Sequence, residues 1–528
     1  MDWPGWPQQD AARYRAAGYW TGDTFGGLLA GWARRYGPRT ALVDGPRRWT
    51  YAELDAEVGR LCAGLRRIGV KPGDRVVLQL PNGAAFVCLW FALQRLGAVP
   101  VHAMPAHRRA EITHLVELSG AAAYVIPDVH ARFDYRELAA GLPVERVVVV
   151  GDPGPYGFTA YDELAGAAPE TGAGPANASG LALLLLSGGT TGLPKLIPRT
   201  HDDYAYNARA SAEVCGLTAE SAYLAILPIA FNFTWACPGV LGTFFAGGKV
   251  VIAPNPSPVT AFELIERERV TITAINPPLV PYWLEEHAAA KPDLSSLRLL
   301  QVGSARLADD LAWRVGPALG VRLQQVYGMA EGLLNYTRDE DPDEIVCTTQ
   351  GRPLSPADEI RVVDEHDRPV PDGETGELLT RGPYTLRGYY RAAEHNATAF
   401  TPDGFYRTGD LVRRLPSGHL NVVGRVKDQI NRGGEKIAAT EVEGHLLAYP
   451  GVKGAALAGM PDPEWGERPV AFLVCEGDAP SVKEIAGFLR DRGLAPYKFP
   501  ERIEAVAAFP LTPVGKIDKK ALVAGLHP

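Results

Sequence analysis

"LLLLSGGTTGLPKLIPRTH", residues 183–201, runs from four leucines into a loop of Ser, Gly and Thr that closes on a lysine. The leucines read as a buried strand, and the residues after them are too polar and too rich in glycine to continue it. Successive backbone N–H groups in such a loop form a concave anion site, and glycine permits the positive φ that the concavity needs. Ser187, Thr190 and Thr191 add hydroxyls, Gly188, Gly189 and Gly192 add freedom, and Lys195 adds positive charge. The loop is therefore fitted to hold phosphate, and the residues alone leave a surface turn after a core strand as the alternative. A Walker A loop, GxxxxGK[ST], opens directly into a helix. Here Pro194 precedes the lysine and Pro198 comes three residues after it, which disfavours a helix behind the loop and demotes a switch or motor NTPase.

The rest of the chain frames that loop. At 528 residues it exceeds a single core and suits two or three domains. A composition 46 % hydrophobic and 22 % charged is that of an ordinary globular protein. The formal charge of −8 and the lack of long Lys/Arg runs are not the footprint by which proteins hold nucleic acid, so nucleic acid is not an expected partner. The six cysteines, Cys62, Cys88, Cys215, Cys237, Cys347 and Cys475, form no CxxC pair, which suits a reducing compartment. The first residues, MDWPGWPQQDAARYR, lack a secretory pattern. The longest apolar run, AAFVCLWFAL at 84–93, falls short of the ~20 residues that span a bilayer, so a cytoplasmic protein with no membrane partner is expected.

Helical periodicity and β-rich runs alternate through most of the sequence, which predicts a layered α/β architecture. Leu54, Val58, Leu61 and Leu65 share one helix face, and DRVVLQL, AYVIP and VERVVVVG read as buried strands. Residues 164–180 are rich in small residues and Pro, the composition of a surface linker. From about Gly373 short β runs with Gly-rich turns replace the alternation, and beyond Lys427 about a hundred residues carry their own pattern of helices and strands. The expected organisation is α/β, with a large N-terminal domain, 1–426, of layered sheets and helices with a β-rich end, and a small α+β C-terminal domain, 427–528.

Five more stretches come after the opening loop in order: QQVYGMAEG (324–332), GELLTRGPYTLRGYY (376–390), GFYRTGD (404–410), GRVKDQINRGGEKIAATEVE (424–443) and PLTPVGKIDKKAL (510–522). Together the six resemble the motifs of the adenylate-forming superfamily: acyl- and aryl-CoA synthetases, adenylation domains of nonribosomal peptide synthesis, and luciferases. YRAAGYW, LIPRTHDDY, GMAEGLLNYTR and DQINRGGEK resemble most the stand-alone aryl-acid AMP ligases, for 2,3-dihydroxybenzoate or salicylate, of siderophore-type pathways. The resemblance implies a small, mobile C-terminal domain that rotates between two half-reactions. In the first a carboxylate attacks the α-phosphate of ATP and releases pyrophosphate; in the second a thiol takes the acyl group from the adenylate. Negative groups meet in both steps, so positioning and charge compensation dominate. ATP as substrate and Mg²⁺ are implied.

By the same resemblance Lys516 is the catalytic lysine that bridges carboxylate and α-phosphate, with Lys195 supplying charge from the phosphate loop. Glu331 is the carboxylate for Mg²⁺, a hard cation that commonly takes one or two carboxylates plus substrate phosphates. ATP is expected against Ser187 to Gly192, against Gly303, Ser304 and Ala305, and against Val326, Tyr327, Gly328 and Met329. Tyr327 would lie against adenine, and Asp410, beside Arg425, would accept from the ribose hydroxyls. Lys427 is the expected hinge, and Gly433 and Gly434 line the expected route of the thiol. Without the resemblance, Asp410 reads as a turn aspartate after Gly409, and Lys516 as a solvated lysine beside Lys519 and Lys520.

FNFTWACPG (231–239) matches the acid-pocket stretch of the aryl-acid subgroup. Asn232 is expected to donate to the ortho hydroxyl or the carboxylate edge of the acid, and Phe233 to form an apolar wall. Cys237 stands where 2,3-dihydroxybenzoate enzymes carry Ser and salicylate enzymes carry Cys. A thiol is the weaker hydrogen-bonding partner, which favours salicylate; the alternative is that Cys237 is merely a small buried residue. Phe231 for His, Ser304 for a second Gly and Leu334 for Val depart from the pattern and keep 2,3-dihydroxybenzoate, 3-hydroxyanthranilate and 3-hydroxypicolinate open. The expected activity is an acid–thiol ligase that loads the phosphopantetheine thiol of an aryl carrier protein, with free coenzyme A as the alternative acceptor. A luciferase-like oxygenase is a weaker option. A catalytically dead nucleotide-binding scaffold is disfavoured because Lys195, Glu331, Asp410 and Lys516 are all present.

Overall fold

The structure is a computed structural model that describes residues 2–526 except 167, 173, 176, 188–193, 433, 434 and 513–515; the side chain of Lys436 is likewise not described. Among the described residues, nine strands form one sheet in the order Arg352–Pro353, Gly332–Tyr336, Arg322–Met329, Leu299–Gly303, Ile272–Ile275, Ala222–Ala225, Lys249–Ile252, Thr40–Asp44, Arg47–Thr50. The six from Arg322–Met329 to Thr40–Asp44 are parallel, and the outer strands return antiparallel. A second, seven-stranded sheet carries Leu181–Leu186 beside Val99–His102, with Leu196–Thr200 antiparallel on its edge.

The apolar run at 84–93 belongs to the helix Ala84–Leu96, which packs on Val99–His102 of one sheet and Thr40–Asp44 of the other. Apolar residues surround this helix, and all but Ala85 are buried, as expected of a helix with protein on every side. Each large apolar side chain fully buried there contributes roughly 1.5–3 kcal/mol. Leu54, Val58, Leu61 and Leu65 line the buried face of the neighbouring helix Tyr51–Arg67 as their spacing requires.

Beyond Ala165 the described residues of the stretch 164–180 form no helix or strand and are mostly exposed, in keeping with a surface linker. Leu164 is fully buried in the short helix Tyr161–Ala165, and a Cβ on Gly64 would come within 2.6 Å of its backbone. The Glu170 amide donates to Gly59 O at 3.1 Å, and Arg66 pairs with the Glu170 carboxylate at 3.0 Å. These contacts tie the linker to the helix Tyr51–Arg67.

Past residue 355 the alternation gives way to the four-stranded antiparallel sheet Glu359–Val363, Thr375–Arg381, Tyr406–Arg414, Leu420–Arg425. One 3₁₀ turn, Val426–Asp428, leads into a five-stranded sheet built on the long pair Val452–Asp462 and Gly466–Cys475. Helices Ala439–Leu446 and Val482–Asp491 cover it, and Ile437, Val442, Leu446, Leu473, Ile485 and Leu489 form a core of its own. No helix among the described residues is long and apolar enough to cross a membrane.

Candidate functional site

Parallel α/β sheets present their ligand sites at the carboxyl ends of the strands. In the nine-stranded sheet segments 226–237, 304–306 and the turn after Met329 leave such ends, and Phe231, Asn232, Phe233, Cys237, Ser304, Ala305 and Glu331 lie there. The glycine-rich loop lies at the neighbouring hairpin of the other sheet. Its ends are tied, with Ser187 N–H donating to Lys195 O at 2.9 Å and Lys195 N–H to Ser187 Oγ at 3.1 Å. A strand, Leu196–Thr200, leaves the loop, in keeping with the prolines that disfavour a helix. Gly188, Gly189, Thr190, Thr191 and Gly192 lie outside the described residues. The Lys195 ammonium stands 5.8 Å from the centre of the Tyr389 ring.

That ring joins the hairpin to Glu331. The Tyr389 hydroxyl donates to Glu331 Oε1 at 2.9 Å and meets the Tyr406 hydroxyl at 2.8 Å. The Leu386 amide donates to Glu331 O at 2.7 Å. This approach depends on Gly332, where a Cβ would fall 2.5 Å from Thr385 Cα. Glu331 is 8 % exposed, and burial raises its pKa against the opposing pull of the Tyr389 bond. Behind it the buried pair Arg199–Asp203 closes at 2.7 Å, and Arg199 Nη1 donates to Ala330 O at 3.0 Å. Sequence reasoning misses the roles of Arg199 and the two tyrosines. Arg199 and Asp203 carry a visible signal: Thr200 and Asp203 stand at capping-box spacing, with an arginine just before.

A second cluster holds Asp410. Its carboxylate receives Arg425 Nε at 2.8 Å and the Tyr327 hydroxyl at 2.7 Å, and its backbone amide donates to Thr408 Oγ1 at 3.0 Å. Asp410 and Arg425 face each other in register across Tyr406–Arg414 and Leu420–Arg425, so the sheet sets the pair. The Asp410 carboxylate holds the Arg425 guanidinium above its usual pKa. Val326 and Gly328 continue Tyr327's strand, with Val326 opposite Gly303; Met329 ends it.

Gly303 closes the strand Leu299–Gly303, and a Cβ there would meet the Phe233 ring and Val326 O, each at 2.9 Å. Ser304 is next, at φ 74°, and its hydroxyl is buried without a partner among the described residues. Ala305 is exposed. Leu334 is buried; its amide donates to the Tyr384 hydroxyl at 3.2 Å, and a Cβ on Gly328 would fall 2.4 Å from its Cδ2.

The FNFTWACPG stretch forms the helix Asn232–Ala236. A chain of bonds seats it: Trp90 Nε1 donates to His102 Nε2 at 3.0 Å, so His102 Nδ1 carries the proton directed at Ala230 O, 2.9 Å away. Burial keeps that imidazole neutral, with its pKa lowered to about 4. Phe231 and Asn232 line a cavity of about 30 Å³ with Leu186 and Ala330, room for about one water. Phe233 instead packs on Gly303. Asn232 is engaged within the protein: its Oδ1 accepts from the Tyr204 hydroxyl at 2.7 Å, and its Nδ2 donates to Cys237 Sγ at 3.5 Å. The Cys237 thiol donates back to Asn232 O at 3.5 Å, and burial raises its pKa to about 12.

Lys427 is exposed in the turn Val426–Asp428. Gly433 and Gly434 lie outside the described residues. Lys516 is tied to Thr512 through its backbone: Leu511 bridges Ile517, Thr512 N–H donates to Lys516 O at 2.7 Å, and Lys516 N–H to Thr512 Oγ1 at 3.1 Å. Its ammonium is lowered to about 8 by burial and the Arg425 and Lys427 charges, with Asp410 and Glu331 pulling the other way. The lysine is therefore within electrostatic reach of both carboxylate clusters.

Two buried carboxylates, a hairpin closed by Lys195 and a lysine borne by a separate small unit are the charged groups of the candidate site. The chain belongs to the AMP-binding enzyme family: residues 29–390 match the AMP-binding enzyme model and 441–516 that of the AMP-binding enzyme C-terminal domain. Among curated proteins it is 53 % identical to the 2,3-dihydroxybenzoate-AMP ligase of Bacillus subtilis, over 98 % of this chain and 96 % of that one. It is 50 % identical to the salicyl-AMP ligase / salicyl-S-ArCP synthetase of Mycobacterium tuberculosis, over 98 % and 94 %. Among solved structures it is similar to apo MbtA of Mycobacterium smegmatis, with 48 % identity, a TM-score of 0.77 and 99 % of each chain covered.

Proposed function

We propose that the protein activates an aryl carboxylic acid bearing a hydroxyl ortho to the carboxylate, using ATP, and transfers the acyl group to the phosphopantetheine thiol of an aryl carrier protein for nonribosomal or siderophore-type assembly. The observation that carries this reading is the pair of pre-bonded carboxylates, Glu331 on Tyr389 and Asp410 on Arg425 and Tyr327, with Lys195 beside the Tyr389 ring, in a chain of the AMP-binding enzyme family. The activities named for the two curated relatives support the acid class, and the second name supports a carrier-bound thiol as acceptor.

In this reading the ends of the Ser187–Lys195 loop receive the phosphates and Asp410 the ribose hydroxyls. The Lys516 ammonium offsets the charge that develops as the carboxylate closes on the α-phosphate. Glu331 is a buried carboxylate whose side-chain contact is a hydroxyl, and no group of three or more His, Cys, Asp or Glu among the described residues could hold a metal. That donor set fits Mg²⁺, which commonly takes one or two carboxylates and completes its shell with substrate phosphates. When bound, Mg²⁺ neutralises phosphate charge; Glu331 would hold it. Residues 1–426 and 427–528 act as separate bodies hinged at Lys427, supported by the single turn that joins two independently cored parts.

The test is acid-dependent exchange of pyrophosphate into ATP across a panel of hydroxylated aryl acids. Exchange with at least one is expected; exchange with none overturns the reading. Product analysis with a holo carrier protein against free coenzyme A then identifies the acceptor.

A further inference from the structure

Residues 2–20 precede the span that matches the family model, which starts at residue 29, yet they clasp the segment that holds Glu331. That segment, 383–391, reaches Glu331 twice, through the Leu386 amide and the Tyr389 hydroxyl. It is tied to residues 2–20 along its length. Trp20, the last residue of YRAAGYW, donates from Nε1 to Pro383 O at 3.0 Å. Arg387, its side chain 10 % exposed, pairs with Asp10 at 2.6 Å and lies 4.9 Å from the centre of the Trp6 ring. Arg391 pairs with Asp2 at 3.0 Å.

Trp6 also reaches the other support of Glu331. Its Nε1 donates to Asp203 Oδ2 at 3.2 Å; Asp203 Oδ1 receives Arg199 Nε at 2.7 Å, and Arg199 Nη1 donates to the carbonyl of Ala330, the neighbour of Glu331. The Thr200 amide also donates to Asp203 Oδ2, at 2.7 Å, so without the indole N–H Asp203 stays partly held. One indole thus serves both routes: its ring carries Arg387, two residues before Tyr389, and its N–H meets Asp203. A residue that only fastened the first segment to the surface would need one of these contacts and not both.

Resting on the aryl-acid reading above, in which Glu331 serves the phosphates of ATP, we infer that Trp6 is a positioning residue: it ties the two supports of Glu331 to each other, so that a segment outside the family-matched span sets part of the affinity for ATP. Attraction between a cation and an aromatic face strengthens when both are desolvated, which suits the pairing of Trp6 with Arg387. Placement has steep effects, since a misplacement of about 1 Å by a change far from the chemistry can cost about 10²-fold.

The experiment compares the full chain with its Trp6→Ala and Trp6→Phe variants by two readouts. One is the KM for ATP and for the best-used aryl acid in pyrophosphate exchange at saturating Mg²⁺. The other is hydrogen–deuterium exchange of the free protein, followed by mass spectrometry. Trp6→Ala is expected to raise the KM for ATP about tenfold and leave that for the acid within about twofold, as a fractional shift of the carboxylate predicts. It also speeds deuterium uptake across 383–391 and not across the helix Ala84–Leu96. Trp6→Phe keeps a ring for Arg387 and loses only the N–H, so it raises the KM for ATP about threefold, and it decides the matter alone should Trp6→Ala fail to fold. If neither variant raises the KM for ATP beyond that for the acid, Trp6 is a structural brace, and the inference falls while the aryl-acid reading stands. Unchanged uptake across 383–391, or faster uptake throughout the chain, overturns it in the same way. If the unmodified protein exchanges pyrophosphate with no acid, the parent reading falls, and this one with it.

Discussion

The large and small parts of the molecule treat charge in opposite ways. In the large part the carboxylates of the site are paired in advance: Asp410 is held by Arg425 and Tyr327, and Glu331 by Tyr389, which leans on Tyr406. In the small part Lys516 is fixed only through its backbone, by Thr512, and its ammonium forms no hydrogen bond or ion pair with the described residues. A group that must stay in place is better oriented by bonds, whereas a charge that must be delivered and withdrawn would be held back by them. On the proposed function, the difference reads as a preorganised cradle and a portable lysine, a division suited to two half-reactions that share one site.

The largest expected effect removes the portable charge. Lys516→Ala should lower the rate of adenylate formation by about 10³-fold or more, since even one lost neutral donor to a developing anion costs about 10²–10³. Thiol transfer from preformed adenylate should stay within a few-fold. Rapid-quench assays of the two half-reactions check this, and equal loss in both would erase the contrast between the parts. The same lysine sets a pH limit. The protonated form is the useful one, and its pKa in the free protein is near 8. The kcat/KM for ATP in the first half-reaction should therefore fall as pH rises through about 8. Under saturating ATP the phosphates favour the ammonium, so the limb in kcat moves to higher pH.

Much of this is legible in the sequence, and the remainder has a physical pattern. The alternation of helix and strand, the hairpin of Leu181–Leu186 and Leu196–Thr200, the β-rich end and the separate terminal unit arise from periodicity and turn chemistry acting over short distances. Ser187, Glu331, Asp410 and Lys516 are readable because their chemistry sits in ordered motifs. The groups that orient them are not. Tyr389 reaches Glu331 across 58 positions, and Tyr327 reaches Asp410 across 83; no local rule ties a tyrosine to a partner so distant. Cys237 reads in the sequence as facing the acid; its bonds to Asn232 depend on the turn of one short helix.

Next in size is the fixed pair. Asp410→Ala leaves Arg425 beside a vacated carboxylate site and removes the acceptor of the Tyr327 hydroxyl. Breaking a fully buried pair costs roughly 3–5 kcal/mol, and the 33 % exposure of Arg425 places this change at the low end. The KM for ATP should rise about 10²-fold, the size expected when a charge-assisted hydrogen bond to the ribose and the groups that aim it are removed at once. Thermal unfolding and initial rates against ATP check the two halves. A variant that loses affinity at unchanged stability would show that Asp410 is held less firmly by its neighbours than the paired geometry requires.

The smallest effect tests whether the cradle's pairing serves the metal. Tyr389→Phe keeps the ring beside Lys195 and removes the hydroxyl that donates to Glu331. One neutral donor to a carboxylate is worth about 1.5–3 kcal/mol at most, and solvent entering the gap returns part of that, so Mg²⁺ dependence should weaken only a few-fold. The sign of the pH effect is the sharper readout. The Tyr389 bond lowers the pKa of Glu331 while burial raises it, so deleting the bond moves that pKa further up. A carboxylate must be ionised to hold a cation, and the acid limb of the Mg²⁺-dependent rate should shift to higher pH in the variant. An acid limb that stays in place while Mg²⁺ affinity falls would mean that Tyr389 positions Glu331 without tuning its charge, and the preorganisation of the cradle would then be geometric alone.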